Sequence, residues 1–238
     1  MASLAGASAG AAELLPELPA KERFHLYLLI GQSNMAGRGV VEEQDKVAHP
    51  RVLLLTKDNR WAPAVDPLHF DKPTIAGVGL GSTFGRVMAE ADPAITVGLI
   101  PCAVGGTPLT RWQKGCDLFQ QAVARAQVAL KHGTLHGILW HQGENDAGSD
   151  DTARNYGDRL ARMVRDLRAE LEAGDVPFVA GELGEFLRRE PKDGKPTFWP
   201  LVNEQIAQLP SRVPQCAVVS ARGFPPRHRP ARYRHVVM

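Results

Sequence analysis

The stretch Phe24-His25-Leu26-Tyr27-Leu28-Leu29-Ile30-Gly31-Gln32-Ser33-Asn34-Met35 decides the fold. Phe24 to Ile30 is a continuous apolar run ending at a glycine, which reads as a strand buried on both faces. Gly31 allows the chain to turn sharply, and a serine and an asparagine then open a helix. A serine on such a turn is exposed, with its own backbone N–H pointing outward. That N–H can stabilise an oxyanion while the hydroxyl attacks a carbonyl. Ser and Asn are equally good plain helix caps, so the turn alone leaves both readings open.

Working outward, strands are expected at Val52 to Leu55, Thr96 to Ile100, Leu135 to Trp140, Pro177 to Ala180 and Cys216 to Ser220. Helices are expected between them, over Gly81 to Ala91, Asp117 to Lys131, about Thr152 to Ala173 and near Trp199 to Leu209. The long one carries Tyr156, Leu160, Met163, Val164, Leu167 and Leu171 on one stripe, with Gly174 as its stop. Apolar strands alternating with helices predict an α/β fold: a three-layer α/β/α sandwich around a mostly parallel sheet of five or six strands. Ligands of such a sheet sit beyond the carboxyl ends of its strands.

Three polar, glycine-containing segments lie there: Gly31-Gln32-Ser33-Asn34, Val104-Gly105-Gly106-Thr107 and His141-Gln142-Gly143-Glu144-Asn145-Asp146. Their loops should converge. A glycine N–H from Gly105 or Gly106 and the amide of Gln142 could serve as further oxyanion donors. Glu144 could orient or charge-stabilise a histidine. Gln32, Asn34, Thr107 and Asn145 are candidates for binding substrate. His141 can point either way, and Asp146 reads as a loop or cap residue.

The 238 residues suffice for one large domain, with 44% hydrophobic and 23% charged residues. No run approaches the roughly 20 apolar residues of a membrane span. Residues 1–20 lack the features of a signal peptide and read as a flexible extension, with the domain body over 21–221. Cys102, Cys116 and Cys216 form no metal-ligand pattern, and the odd count fits a reducing, cytoplasmic setting without structural disulfides. Residues 222–238 are an Arg/Pro-rich tail with five arginines and no acid, so the remaining body holds 23 basic against 26 acidic residues. A basic tail can mean nucleic acid, but an Arg/Pro-rich end without a selected partner is the favoured reading.

Together the three segments resemble the blocks of the sialate O-acetylesterase/acetylxylan esterase branch of the SGNH hydrolases, with plant carbohydrate-esterase-like members nearest. The resemblance runs from about residue 24 to 220. It implies that Ser33 is the nucleophile and that the N–H groups of Ser33 and of Gly105 or Gly106 are oxyanion donors. It also implies that Gln142 supplies a side-chain donor and that Glu144 supports the catalytic histidine. The implied reaction removes an acetyl group from a sugar or small acetyl ester through an acyl-enzyme, without metal or cofactor.

The chain departs from the pattern at one place. The family's Asp-x-x-His segment should follow the last strand, yet no aspartate occurs after Asp193 and no acid after Glu204. His228, between two arginines, and His235, following one, stand beside charges that disfavour the charged imidazolium and are the remaining candidates for a base. The expectation is a serine esterase impaired by a missing base. The competing expectation is a catalytically inactive carbohydrate-binding or regulatory protein on the same fold. Two other motifs fail. Gly77-Val78-Gly79-Leu80-Gly81-Ser82 lacks the last glycine of a dinucleotide fingerprint, and Met35 replaces the final glycine of Gly-x-Ser-x-Gly.

Overall fold

A computed structural model describes residues 17–188 and 197–223. Strand β1 (Phe24–Gly31) lies at the centre of a seven-stranded sheet. Its side chains alternate between two cores. Leu26, Leu28 and Ile30 face one side, while Tyr27 and Leu29 face the other. The remaining strands are β2 (Val52–Leu55), β3 (Trp61–Pro63), β4 (Thr96–Pro101), β5 (Thr134–His141), β6 (Phe178–Gly181) and β7 (Cys216–Val219). Their order is β3-β2-β4-β1-β5-β6-β7, and all neighbours are parallel except β2 and β3.

Helices α1 (Ser33–Ala36) and α2 (Leu80–Ala91) cover the Tyr27 side, through Met35, Ala36 and Ala89. Helices α3 (Asp117–Ala129), α5 (Tyr156–Glu170) and α6 (Trp199–Ala207) cover the other, through Phe119, Ala122, Leu160, Val164, Val202 and Ile206. The expected three layers are present. The sheet has one strand more than expected, because the three-residue β3 is too short to show a period. It pairs Leu53 with Pro63 and Leu55 with Trp61 across a hairpin in which Asn59 adopts φ 58°.

The long helix is also corrected. It is two helices, α4 (Asp150–Arg154) and α5, broken at Asn155. The Asn155 amide donates to the Asp151 carbonyl at 3.1 Å, an alternative to continuing the helix. The helix stops at Glu170, and Glu172 at φ 51° takes the left-handed position expected of Gly174. A last short helix, α7 (Leu209–Arg212), leads into β7.

The segment between β3 and α2 holds two buried titratable groups. Burial raises the Asp66 carboxyl to about 6, against a bond from the Ser82 hydroxyl, and burial lowers His69 to about 4. His69 binds fewer protons folded than unfolded, so its contribution is complete above pH 6.5 and lost as pH falls toward 4. Asp66 behaves oppositely: its contribution is complete below pH 3.8 and lost as pH rises through 6. Each amounts to about 3 kcal/mol, so the two slopes nearly cancel. Asp66→Asn is expected to lose about 2 kcal/mol relative to wild type as pH falls from 6.5 to 4. Urea unfolding of both proteins across that range checks it; parallel pH curves contradict it.

Candidate active site

The chain leaves β1 at the topological switch point, where it has neighbours β4 and β5 on opposite sides. Gly31 adopts φ 136°, and a Cβ there would lie 2.2 Å from the His141 carbonyl oxygen. Only glycine fits. That same oxygen accepts the Gln32 N–H at 2.9 Å, fixing the turn against the end of β5. Ser33 follows, half-buried, at the start of α1, and no described residue accepts its N–H. Gly31→Ala is expected to cost about 2 kcal/mol or more and to displace Ser33. Thermal unfolding and fluorophosphonate labelling of Ser33 check it, and an unchanged melting temperature with full labelling contradicts it.

The three loops do converge. The Val104 N–H donates to Gly31 O at 3.0 Å, joining the first and second. The Asn34 amide donates to Glu144 Oε1, and the Asn145 N–H reaches Gln32 Oε1 at 3.4 Å, joining the first and third. Gln142 Nε2 donates to Thr107 O at 3.0 Å and Asn145 Nδ2 to Gly106 O at 3.1 Å, joining the second and third.

These bonds change the work of several predicted residues. Gln142 is fully buried, and its two amide hydrogens go to Thr107 O and to Asp146 Oδ2 at 2.7 Å. A donor with both hydrogens committed cannot also hold an oxyanion, so the geometry makes Gln142 a brace between loops. Thr107 is buried, its hydroxyl donating to Val104 O at 2.8 Å, which takes it away from substrate. Gln32 is buried in the inter-loop contact, and Asn34 is committed to Glu144. Asn145 remains exposed.

The glycine pair resolves into two roles. Gly105 is buried, and its N–H donates to Asp71 Oδ2 at 2.7 Å. Gly106 is exposed at φ 79°, and no described residue accepts its N–H. Gly106 is therefore the glycine whose N–H is open to a ligand. The Arg38 guanidinium also bonds Asp71, at 2.7 Å. Although burial opposes it, Arg38 and the Gly105 N–H hold the Asp71 carboxyl below its usual range.

Beneath the third loop, the Asp146 carboxylate accepts from Leu109 N at 2.8 Å, Gln142 Nε2 at 2.7 Å and Arg159 at 2.9 Å. Tyr156 donates to Gln142 O and Oε1 at 2.7 and 2.9 Å, and accepts from Trp140 Nε1 at 3.0 Å. Sequence reasoning did not anticipate the supporting roles of Arg38, Asp71, Tyr156 and Arg159. Their one signal is a polar residue set in an apolar stripe, as Tyr156 is on α5. His228 and His235, and the part of the tail beyond residue 223, lie outside the described residues. So do residues 1–16 of the expected N-terminal extension. No group of three or more His, Cys, Asp or Glu among the described residues could hold a metal ion, and no helix there is long and apolar enough to cross a membrane.

The comparisons with known proteins agree with this arrangement. A probable carbohydrate esterase of Arabidopsis thaliana is 36% identical over a 174-residue alignment that covers 65% of this chain and 66% of that protein. The 1.6 Å X-ray structure of that Arabidopsis protein superposes with a TM-score of 0.75 at 28% identity, covering 87% of this chain and 88% of the other. The same fold is seen in NanS, with a TM-score of 0.65 at 18% identity over 85% of this chain and 79% of the other. It is seen again in a carbohydrate acetylesterase of Xanthomonas citri, with a TM-score of 0.60 at 18% identity over 88% of this chain and 52% of the other. The family model for carbohydrate esterases, sialic acid-specific acetylesterases, matches residues 23–233. With nine-tenths of its length matched and its three loops joined at the switch point, this chain belongs to that carbohydrate esterase family.

Proposed function

We propose that the chain hydrolyses O-acetyl groups on carbohydrates through an acyl-enzyme on Ser33. The observation that carries this reading is the pair of N–H groups without acceptors among the described residues, on Ser33 and Gly106, in loops held to each other. Ser33 Oγ attacks the acetyl carbonyl carbon, and the oxygen that becomes negative is stabilised by those two N–H groups. The sugar leaves with a proton, and water then releases acetate from Ser33. Asn145, exposed beside Gly106, is placed to meet a sugar hydroxyl.

Activity is impaired in this reading, because residues 221–238 contain no Asp-x-x-His segment. Triad members act as a unit, and loss of the histidine costs several orders of magnitude in rate. Acetate release from acetylated xylo-oligosaccharides and aryl acetates, by this chain beside Ser33→Ala, tests the proposal. Slow turnover that Ser33→Ala abolishes is expected. Turnover unchanged in Ser33→Ala contradicts the nucleophile, and turnover at rates typical of intact esterases contradicts the impairment.

The same missing segment favours a second reading, a carbohydrate-binding protein without turnover. Calorimetric binding of acetylated oligosaccharide that survives Ser33→Ala, with no acetate released by either protein, distinguishes it.

A further inference from the structure

The two N–H groups open at the site, on Ser33 and Gly106, belong to different loops, and an ion pair ties those loops together. Gly37 closes α1, its N–H donating to Ser33 O at 2.9 Å, so it shares a single turn with the serine. Arg38 follows. Its guanidinium donates through Nη1 to Gly37 O at 2.7 Å and through Nη2 to Asp71 Oδ2 at 2.7 Å. That same Oδ2 accepts the N–H of Gly105, the residue before Gly106, also at 2.7 Å.

A continuous path of hydrogen bonds therefore runs from the Ser33 turn through Arg38 and Asp71 to the Gly105-Gly106 loop. The path is stiff. The Asp71 side chain is 1% exposed and that of Arg38 18%, so solvent screens the pair little. A planar guanidinium meets two acceptors in fixed geometry, which an ammonium on a flexible stem does not. Gly105 leaves it room: a Cβ there would lie 2.5 Å from Arg38 Nη2 and 3.0 Å from Asp71 Oδ2. Gly106 is then held from both sides, through Gly105 by Asp71 and through its own carbonyl by Asn145 of the third loop.

Two donors stabilise one oxyanion only when both point at the place where it forms, about 2.7–3.1 Å away. A shift of about 1 Å can cost about 10²-fold in rate. Resting on the reading of the Ser33 and Gly106 N–H groups as the oxyanion donors, we propose that Arg38 and Asp71 are positioning residues that set the separation and direction of those two groups. Neither touches the substrate; both act through the backbone they hold.

The test is Ser33-dependent hydrolysis of 4-methylumbelliferyl acetate by the full chain and its variants. Binding of phenylboronic acid is the second readout, because its tetrahedral adduct on Ser33 puts an oxygen where the oxyanion forms. Asp71→Asn, Arg38→Lys and Gly105→Ala each cut the path at one point, the last without changing any charge. Each is expected to lower kcat by about 10–10²-fold with KM within about twofold of wild type. Acylation and deacylation both form the oxyanion, whereas the bound ester does not need it. Boronate affinity should fall in step with kcat. The double variant Arg38→Lys/Asp71→Asn should lose little more than the worse single variant, since both changes cut one path. Urea unfolding shows which variants fold, and Gly105→Ala still answers the question if Asp71→Asn does not.

A raised KM with unchanged kcat would overturn the proposal, as would losses that multiply in the double variant. So would boronate binding that depends on Ser33 but is undiminished in all three single variants, which leaves the oxyanion reading standing. A wild-type chain with neither Ser33-dependent turnover nor boronate binding would remove that reading itself, and the proposal with it.

Discussion

Exchanging residues 222–238 for the corresponding terminus of the Arabidopsis relative is expected to raise kcat/KM on aryl acetates by about 10³-fold. The exit of the chain from β7 favours this. The Ser220 hydroxyl and the Ala221 N–H both donate to Glu182 Oε2, at 2.8 and 3.0 Å, pinning the end of β7 to the residue that follows β6. That rim is one strand from His141 and the Glu144 loop. Parallel strands are about 4.8 Å apart, so a terminus starting there has about 14 Å of sheet to cross to reach β1. A histidine brought in by it would find Glu144 Oε2 unpartnered and ready to accept its ring N–H. Steady-state kinetics of the exchanged chain, with Ser33→Ala in the same background, measures the gain. A Ser33-dependent rise supports the account; no rise in a folded exchanged chain contradicts the claim that a base is the missing part.

Asp146→Ala is expected to lower the unfolding free energy by about 3–5 kcal/mol. The carboxylate is buried and takes three bonds, from Leu109 N, Gln142 Nε2 and Arg159. Its removal strands a partly buried guanidinium, a buried backbone N–H and one hydrogen of a buried amide. Asp146→Asn keeps the shape but loses the charge facing Arg159, and should cost less. The loops joined through Gln142 loosen in both variants, so Ser33 labelling should slow as stability falls. Urea unfolding is the measurement. A change below about 1 kcal/mol for Asp146→Ala would mean the brace contributes little.

Much of the fold was legible because each parallel strand is apolar on both faces and short of helical length, as Leu26 to Ile30 illustrate. β3 was not, since three residues ending in a proline carry no period. The break at Asn155 was hidden because Tyr156 continues the apolar stripe in phase. At the site, loop positions could be read from strand ends, yet burial could not. Gln142 and Thr107 are polar residues beside glycines, which suggests exposure, whereas both point inward to join loops. The choice between Gly105 and Gly106 depended on Asp71, 34 residues away in sequence, which takes one N–H and leaves the other. The unpartnered oxygen of Glu144 is a fact of packing, and no local pattern announces it.

The most direct test of Ser33 as nucleophile is the acyl-enzyme itself. The full chain would be incubated with an aryl acetate, quenched in acid, digested and examined by mass spectrometry. The account predicts a single acetyl group on Ser33, accumulating because the missing base also delays its hydrolysis, and absent from Ser33→Ala. Acetate released while Ser33 stays unmodified, or an acetyl group found stoichiometrically on another residue, would contradict it.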